Sequence, residues 1–369
     1  MCKQGEIAIQ QTIIPDYRLG VFEILRSRYG SRLNVYAGDA DFGGSPVSAT
    51  IAWERYSKIV NHYFGGSRLL WQSHVIGHLI RAEVAILNGN LRIVSNLPVL
   101  LMRRILRRRT LIWGHASGRS GIAKHIRRLY NNLSDGVIAY TESDKTVFES
   151  ASPAIRVWVA ANSCVFAKDC VPVSSSDELP DSFIYVGRLI PEKKVDVLLR
   201  AFSQAKSVGL LPKQAKLIIV GSGPEKEGLV EYVEAQGLSG EVRFTGHVSE
   251  TRALRDLYSC SIASVSPGYV GLSATQSFSF GVPMLVSRDE RHSPEIEACH
   301  AGFNALFFDT HSISDFANLL QSVWGVRENW LAKREDIANW TKANYSFEAM
   351  SEAFISAIEA SPCGTGQIE

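Results

Sequence analysis

Two short segments in the second half of the chain combine residue types suited to holding a diphosphate. The first is Tyr185-Val-Gly-Arg188-Leu-Ile-Pro-Glu-Lys193-Lys194; the second is Pro267-Gly-Tyr-Val-Gly271-Leu272-Ser273-Ala-Thr-Gln276, running on to Gly281-Val-Pro283. Each ends a short apolar strand and opens a helix. Arg188 offers a forked guanidinium, and Lys193, five residues on across a turn containing Pro191, a mobile point charge. Gly271 leaves a helix start clear of side chain, so that N–H groups with no intrahelical acceptor can meet an anion, while Ser273 adds a donor or a cap. Either segment alone also reads as ordinary, a solvated basic turn beside Glu192 and Asp196 or a glycine-rich helix start. Together they imply an enzyme that uses an activated, nucleotide-linked substrate.

Other segments carry weaker signals. Val220-Gly221-Ser-Gly223-Pro224 is a third strand-to-helix turn, but Lys226 stands where a dinucleotide fingerprint needs its last glycine, so it reads as a packing turn. His115 follows Leu111-Ile-Trp-Gly and precedes Ala116-Ser-Gly-Arg-Ser-Gly121, a place for an accessible polar group or for a hydrogen-bonded structural histidine. Residues 97–109 end in five arginines within seven positions. As a helix they present an apolar stripe (Val99, Met102, Ile105, Leu106) beside Arg103, Arg104, Arg107 and Arg108. That pattern suits an anionic membrane surface, or a helix packed on its sheet with a solvated basic face.

These segments need strands and helices to position them, and the chain supplies an alternation of both. In the first half strands are expected over Ile7–Gln10, Leu33–Tyr36, Val84–Leu87, Leu111–Trp113, Val137–Tyr140 and Arg156–Val159, with helices over 17–29, 99–108, 122–133 and 142–150. In the second half the strands are 183–186, 216–220, 242–245, 261–265, 283–286 and 305–308. The helices there are 195–208, 225–236, 251–258, 273–280 and 314–324, with a last helix over 346–360. Continuous apolar strands alternating with amphipathic helices indicate parallel sheets covered on both faces, with ligands at the C-terminal ends of the strands. A Pro/Ser-rich polar stretch, 168–181, separates the two runs.

At 369 residues two domains are expected. The net charge of +2 conceals an asymmetry: residues 1–170 carry 22 Lys and Arg against 12 Asp and Glu, and residues 171–369 carry 17 against 25. A basic first half points to an anionic partner or to a solubilising surface. The six cysteines, Cys2, Cys164, Cys170, Cys260, Cys299 and Cys363, form no zinc-type spacing and read as reduced thiols of a cytoplasmic protein. No signal-peptide pattern opens the chain and no apolar run approaches a bilayer span. The expectation is a soluble protein, at most peripheral on the inner face of a membrane.

In their order and spacing the motifs resemble those of the retaining glycosyltransferases of family 4. They are Val186-Gly-Arg188-Leu-Ile-Pro-Glu-Lys193-Lys-Val-Asp196, Val220-Gly-Ser-Gly-Pro224, Phe244-Thr-Gly-His-Val248, Gly271-Leu-Ser273, Phe280-Gly-Val-Pro283, Pro294-Glu295 and Gly302-Phe-Asn304. In the first half Pro15-Asp-Tyr17-Arg18, Trp113-Gly-His115 and Ala161-Asn-Ser163 look like that family's cleft loops.

The resemblance implies an α/β GT-B fold, two doubly wound Rossmann-like domains facing each other across a cleft. Residues 1–165 would form the acceptor side together with a C-terminal helix at about 346–362; 166–182 would be a linker, and 183–345 the donor domain. It implies Arg188 and Lys193 on the donor diphosphate, with Gly221, Gly271, Leu272, Ser273 and Gln276 also around the donor, and His247 and Val248 at its base. His115 would lie near the reacting centre, as a catalytic group with Arg188 and Lys193, and Tyr17 and Arg18 on the acceptor side. The expected reaction moves a hexose-type sugar from a UDP- or GDP-sugar to a glycan or lipid-linked acceptor in surface polysaccharide or lipopolysaccharide assembly. No metal or other cofactor, and no nucleic acid partner, is expected. Many members carry two glutamates where this chain has Gly268 and Gln276. That departure keeps open a second reading, a sugar-nucleotide-binding or scaffold subunit without activity.

Overall fold

A computed structural model describes residues 5–42, 56–116, 121–174 and 179–361, the side chains of 122–124 excepted. Cys2, Cys363, residues 117–120 after His115 and residues 175–178 of the expected linker lie outside the described residues. The chain forms two compact units, 1–163 with 347–369, and 164–346.

The first unit contains strands β1 (Ile7–Gln11), β2 (Leu33–Ala37) and β3 (Tyr56–Lys58), an antiparallel hairpin β4 (Val60–Phe64) and β5 (Leu69–Ser73), then β6 (Val84–Asn88), β7 (Arg109–Trp113), β8 (Gly136–Ala139) and β9 (Val157–Val159). All but the hairpin join one parallel sheet, ordered β3-β2-β1-β6-β7-β8-β9. Its register sets the strand starts level: Ile7 pairs with Leu33 and with Val84, and Val84 with Arg109. The helices are α1 (Leu19–Tyr29), α2 (Ile76–Arg81), α3 (Asn96–Ile105), α4 (Gly121–Leu133) and α5 (Glu142–Ala151). Side chains alternate across the sheet, so Ala8, Ala85, Ile112 and Val137 share one buried cluster with Leu79, Val99, Leu100 and Tyr130 of α2, α3 and α4. Elsewhere in the same unit α1 packs on the C-terminal helix, Phe347–Glu359. A Cβ on Gly20 of α1 would collide with the Phe347 ring, and Phe354 meets Trp113 edge to face at 4.7 Å.

The 97–109 segment differs from the helix expected. Helix α3 ends at Ile105, and Arg107, at φ +52°, turns the chain toward β7. Val99 and Arg103 are buried rather than displayed. Arg103 donates to the carbonyls of Leu79, Ala82 (2.9 Å) and Arg109 and to Thr110 Oγ1 (2.8 Å), so a guanidinium satisfies the last carbonyls of α2 and ties them to the start of β7. Burial pushes it down to about 10, the Arg108 charge adding to the effect. What α3 and the following turn expose is a ridge of Leu101, Met102, Ile105 and Leu106. The sequence reading also lacked the β4–β5 hairpin, β3 and α2.

The second unit is a six-stranded parallel sheet, ordered β12-β11-β10-β13-β14-β15. It consists of β10 (Ser182–Val186), β11 (Lys216–Val220), β12 (Val242–Gly246), β13 (Ser261–Ser266), β14 (Met284–Ser287) and β15 (Ala305–Phe308). The helices are α6 (Val195–Ser207), α7 (Lys226–Ala235), α8 (Thr251–Ser259), α9 (Ser273–Ser279), α10 (Ile313–Gly325), and α11 (Arg327–Ala332) and α12 (Arg334–Asn344), the last two unforeseen from sequence. Phe183 and Tyr185 of β10 bury with Leu198 and Phe202 of α6 and Phe316 of α10. Ile184 of β10 faces the other layer, with Leu254 and Tyr258 of α8. Val173, ahead of the sheet, belongs to that second cluster, so this part of the expected linker is packed. Each sheet thus has helices on both faces and leaves its chemistry to the loops at its C-terminal edge.

Candidate functional site

In the second unit the structure brings Arg188 and Lys193 together on Tyr269. The Arg188 guanidinium donates to the Tyr269 hydroxyl (3.2 Å); Lys193 Nζ donates to the Tyr269 carbonyl (2.8 Å) and stands 3.4 Å from the centre of its ring. The same Nζ is 3.8 Å from where a Cβ on Gly271 would be, so Lys193 stands beside the loop that leads into α9, and Tyr269 joins Arg188 to it. Partial burial pushes Lys193 down to about 8, with the Arg188 charge in the same direction and Glu295 opposing. An arriving anion would add an attraction that opposes both depressing influences and raises the value again.

Backbone contacts fix this arrangement. Gly268 is buried, and a Cβ there would collide with the Glu192 carbonyl and come within 2.8 Å of Lys193 Cα. The turn that carries Lys193 therefore rests on Gly268, and no larger residue fits. Gly221, at φ +144°, faces the Gly187 carbonyl so closely that a Cβ would collide with it, locking the β11 loop to the β10 loop. Ser273 opens α9 without a side-chain cap, after Leu272. With seven residues, α9 offers N–H groups more than a large macrodipole. Gln276 is partly exposed on α9, His247 is exposed, and Val248 packs against the α8 cluster. His292, unforeseen, accepts the Val270 N–H at Nδ1 (3.0 Å) and so holds the same loop.

In the first unit a cavity of about 790 Å³ opens at the C-terminal ends of β1, β6 and β7, lined among others by Tyr17, Arg18, Asn88, Trp113, His115 and Tyr140. Arg18 is clamped: it donates to Gln11 Oε1 (2.5 Å) and to the Tyr140 hydroxyl (2.6 Å) and lies 4.4 Å above the Trp113 ring. His115 leans on Tyr140, ring centres 4.4 Å apart, and its Nδ1 is 3.0 Å from Asp144 Oδ2. The other Asp144 oxygen accepts the Ala116 N–H (2.9 Å). Burial acts to raise the Asp144 carboxyl, but its bonds from His115, the Ala116 N–H and Thr141 and the His115 charge outweigh that and hold it below the usual carboxylate range. An ionised Asp144 assigns the proton of neutral His115 to Nδ1, leaving Nε2 as an acceptor. Below the cavity Gln10, Gln72 and Asn96, all without exposed surface, are linked by 2.7 Å bonds from Gln10 Nε2.

The structure gathers His115, Tyr17 and Arg18, all singled out from sequence, around one cavity; Asp144, Tyr140 and Tyr269 were not singled out. Asp144 had a signal: it stands three residues after Thr141, which caps α5 by accepting the Asp144 N–H (2.9 Å). Burial pushes the thiols of Cys164 and Cys299 up to about 11 and about 12, which removes them as nucleophiles. Among the described residues no group of three or more His, Cys, Asp or Glu is placed to hold a metal ion, and no helix is long and apolar enough to cross a membrane.

Residues 171–343, which lie in the second unit, match the family model described as "Glycosyl transferases group 1". The D-inositol 3-phosphate glycosyltransferase of Rhodococcus opacus is 30% identical over 148 residues, 38% of this chain and 32% of that protein. The lipopolysaccharide core biosynthesis glycosyltransferase LpsE of Rhizobium meliloti is 25% identical over 179 residues, 48% of this chain and 49% of that one. The chain thus spans about a third to a half of the length of these curated relatives. In three dimensions it is similar to Anabaena HepE in complex with UDP, with a TM-score of 0.66 and 15% identity over 96% of this chain and 99% of that one. The fold is GT-B, with two Rossmann-like domains.

Proposed function

We propose that the protein is a retaining glycosyltransferase of family 4, moving a hexose-type sugar from a UDP- or GDP-sugar to a glycan or lipid-linked acceptor. The observation that carries this is the pairing of Arg188 and Lys193 on Tyr269 beside Gly271. Two cations held by one tyrosine, on a loop that Gly268 lets approach, form a cradle for a leaving diphosphate. The sugar would depart with oxocarbenium-like charge while Arg188 and Lys193 stabilise the developing phosphate charge. These side chains supply the positive charge, so the reaction needs no metal. His115, oriented by Asp144, would accept a hydrogen bond from an acceptor hydroxyl at Nε2. The names of LpsE and of the lipopolysaccharide galactosyltransferase WaaB, whose fold is similar, support an acceptor in surface glycan assembly. The exposed ridge on α3, beside Arg104 and Arg107, fits peripheral contact with the inner face of a membrane.

The test is transfer from a panel of UDP- and GDP-sugars, preceded by thermal-shift screening, in which a bound donor raises the melting temperature. Near-normal transfer by Arg188→Ala/Lys193→Ala would reject the donor site, and loss of activity in EDTA would reject metal independence. Donor binding with neither transfer nor hydrolysis would favour the scaffold reading, which Gly268 keeps alive because no carboxylate can stand there.

A further inference from the structure

At the opposite edge of the first unit's sheet, where the strands begin, lies a second cavity of about 810 Å³. Gly5, Arg32, Val84 and Arg109, each at or just ahead of a level strand start, line it, together with Arg81 at the end of α2, Arg107 and Arg108, and the end of the C-terminal helix. A strand of five residues separates this cavity from the His115 cavity by roughly 17 Å, so the two are distinct.

Five arginines line the cavity against two carboxylates, Glu83 and Glu359. Both carboxylates are already engaged: Glu83 accepts the Gly5 N–H and pairs with Arg32 (3.4 Å), and Glu359 pairs with Arg28 (3.1 Å) and accepts the Tyr29 hydroxyl (3.2 Å). Arg109 donates to the Ala357 carbonyl (2.6 Å). Surplus charge therefore resides on Arg81, Arg107 and Arg108, all exposed, with Arg108 donating to the Arg81 carbonyl (2.5 Å). Among the described residues none of the three is in an ion pair with a carboxylate. Buried Arg103 pins the two backbone segments that carry them, so the guanidiniums are set on a fixed frame. Forked guanidiniums on a concave surface suit phosphate oxygens. Leu106 and Ile105, exposed, immediately precede Arg107 in the chain, so an apolar ridge leads into this charge.

We propose that this cavity binds the phosphate of an anionic phospholipid headgroup while the ridge of Leu101, Met102, Ile105 and Leu106 enters the acyl boundary. The proposal rests on the membrane reading of that ridge and adds to it a discrete headgroup site.

Vesicle co-sedimentation tests it with the full chain, using phosphatidylcholine alone and phosphatidylcholine mixed with phosphatidylglycerol. The wild type is expected to partition more strongly into the mixed vesicles, and less so as salt rises. Arg81→Ala/Arg107→Ala/Arg108→Ala should lose on the order of a hundredfold there, about fivefold per arginine, and keep its binding to neutral vesicles. Met102→Ser/Ile105→Ser should weaken binding to both, with unchanged near-ultraviolet circular dichroism confirming folding in each variant. Equal binding of wild type and triple variant to mixed vesicles overturns the headgroup site and leaves the ridge standing. No binding to either vesicle overturns both. Calorimetric binding of inorganic phosphate or pyrophosphate that the triple variant loses, without vesicle binding, overturns the lipid assignment in favour of a soluble anion.

Discussion

At the C-terminal edge of the second unit's sheet the turns that carry the polar groups rest on one another backbone to backbone, while at the same edge of the first unit's sheet, where Gly89 and Gly114 also meet backbone to backbone, the polar groups themselves are aimed by side chains. Gly268 lies against the Glu192 carbonyl and Gly221 against the Gly187 carbonyl, so the turns that bring Lys193 and Arg188 to Tyr269 are set by contacts that only glycine permits. In the first unit His115 is aimed by Asp144 and Tyr140, and Arg18 by Gln11, Tyr140 and Trp113. In the proposed reaction a backbone-built rim suits a group common to many donors, the diphosphate. A rim of side chains can be exchanged residue by residue, which suits the partner that varies.

The widest gap between the rims should appear on deleting the cations. Arg188→Ala/Lys193→Ala is expected to lower kcat/KM for transfer by on the order of 10⁴-fold, with donor affinity falling as well. His115→Ala should lower it by about 10²- to 10⁴-fold while leaving UDP affinity unchanged by calorimetry; a matching loss of UDP binding would undo the division of labour. Asp144→Asn should cost less than His115→Ala, because the ring remains and only its orientation is loosened.

Glycine replacement probes the backbone-built rim directly. Gly268→Glu, which supplies the carboxylate that the proposed family assignment would place there, should not raise activity. The Glu192–Lys193 backbone must move instead, at about 1–3 kcal/mol of stability, visible as a lowered melting temperature. Higher transfer by Gly268→Glu would contradict the packing described.

The smallest effects concern pH. Lys193 titrates near 8 in the free protein, and a bound diphosphate raises that value, so UDP affinity should fall by at most tenfold per pH unit as pH rises past 8. The Lys193→Arg variant should lack this slope. The folded Asp144 carboxyl lies below its unfolded value, so its contribution to stability is present above about pH 4. It is lost as pH falls through the folded value, and Asp144→Asn should flatten that part of a melting-temperature profile.

Much of the second unit was legible because its geometry demands particular residue types at short spacing: glycine at a close approach, proline in a turn, an apolar strand before each loop. Thus Arg188, Lys193 and Gly271 stood out as a group, and the strands 216–220 and 305–308 coincide with those expected. Tyr269 was invisible, since nothing in its neighbours marks a residue that holds both cations. Arg103 sat in an arginine run and looked like the others, although it alone is buried. The hairpin escaped notice because Val60, Phe64, Leu69 and Trp71 are exposed on it, against the usual polarity of an amphipathic strand.

The packing of Phe347 on Gly20 and of Phe354 on Trp113 has a consequence for biosynthesis. The helix that completes the first unit is translated only after the whole of the second. A ribosome therefore releases a finished second unit while the earlier half of the nascent chain still waits with apolar surface uncovered around Phe22 and Trp113. Premature termination before residue 347 should yield a protein whose beginning, not its end, is what proteases attack.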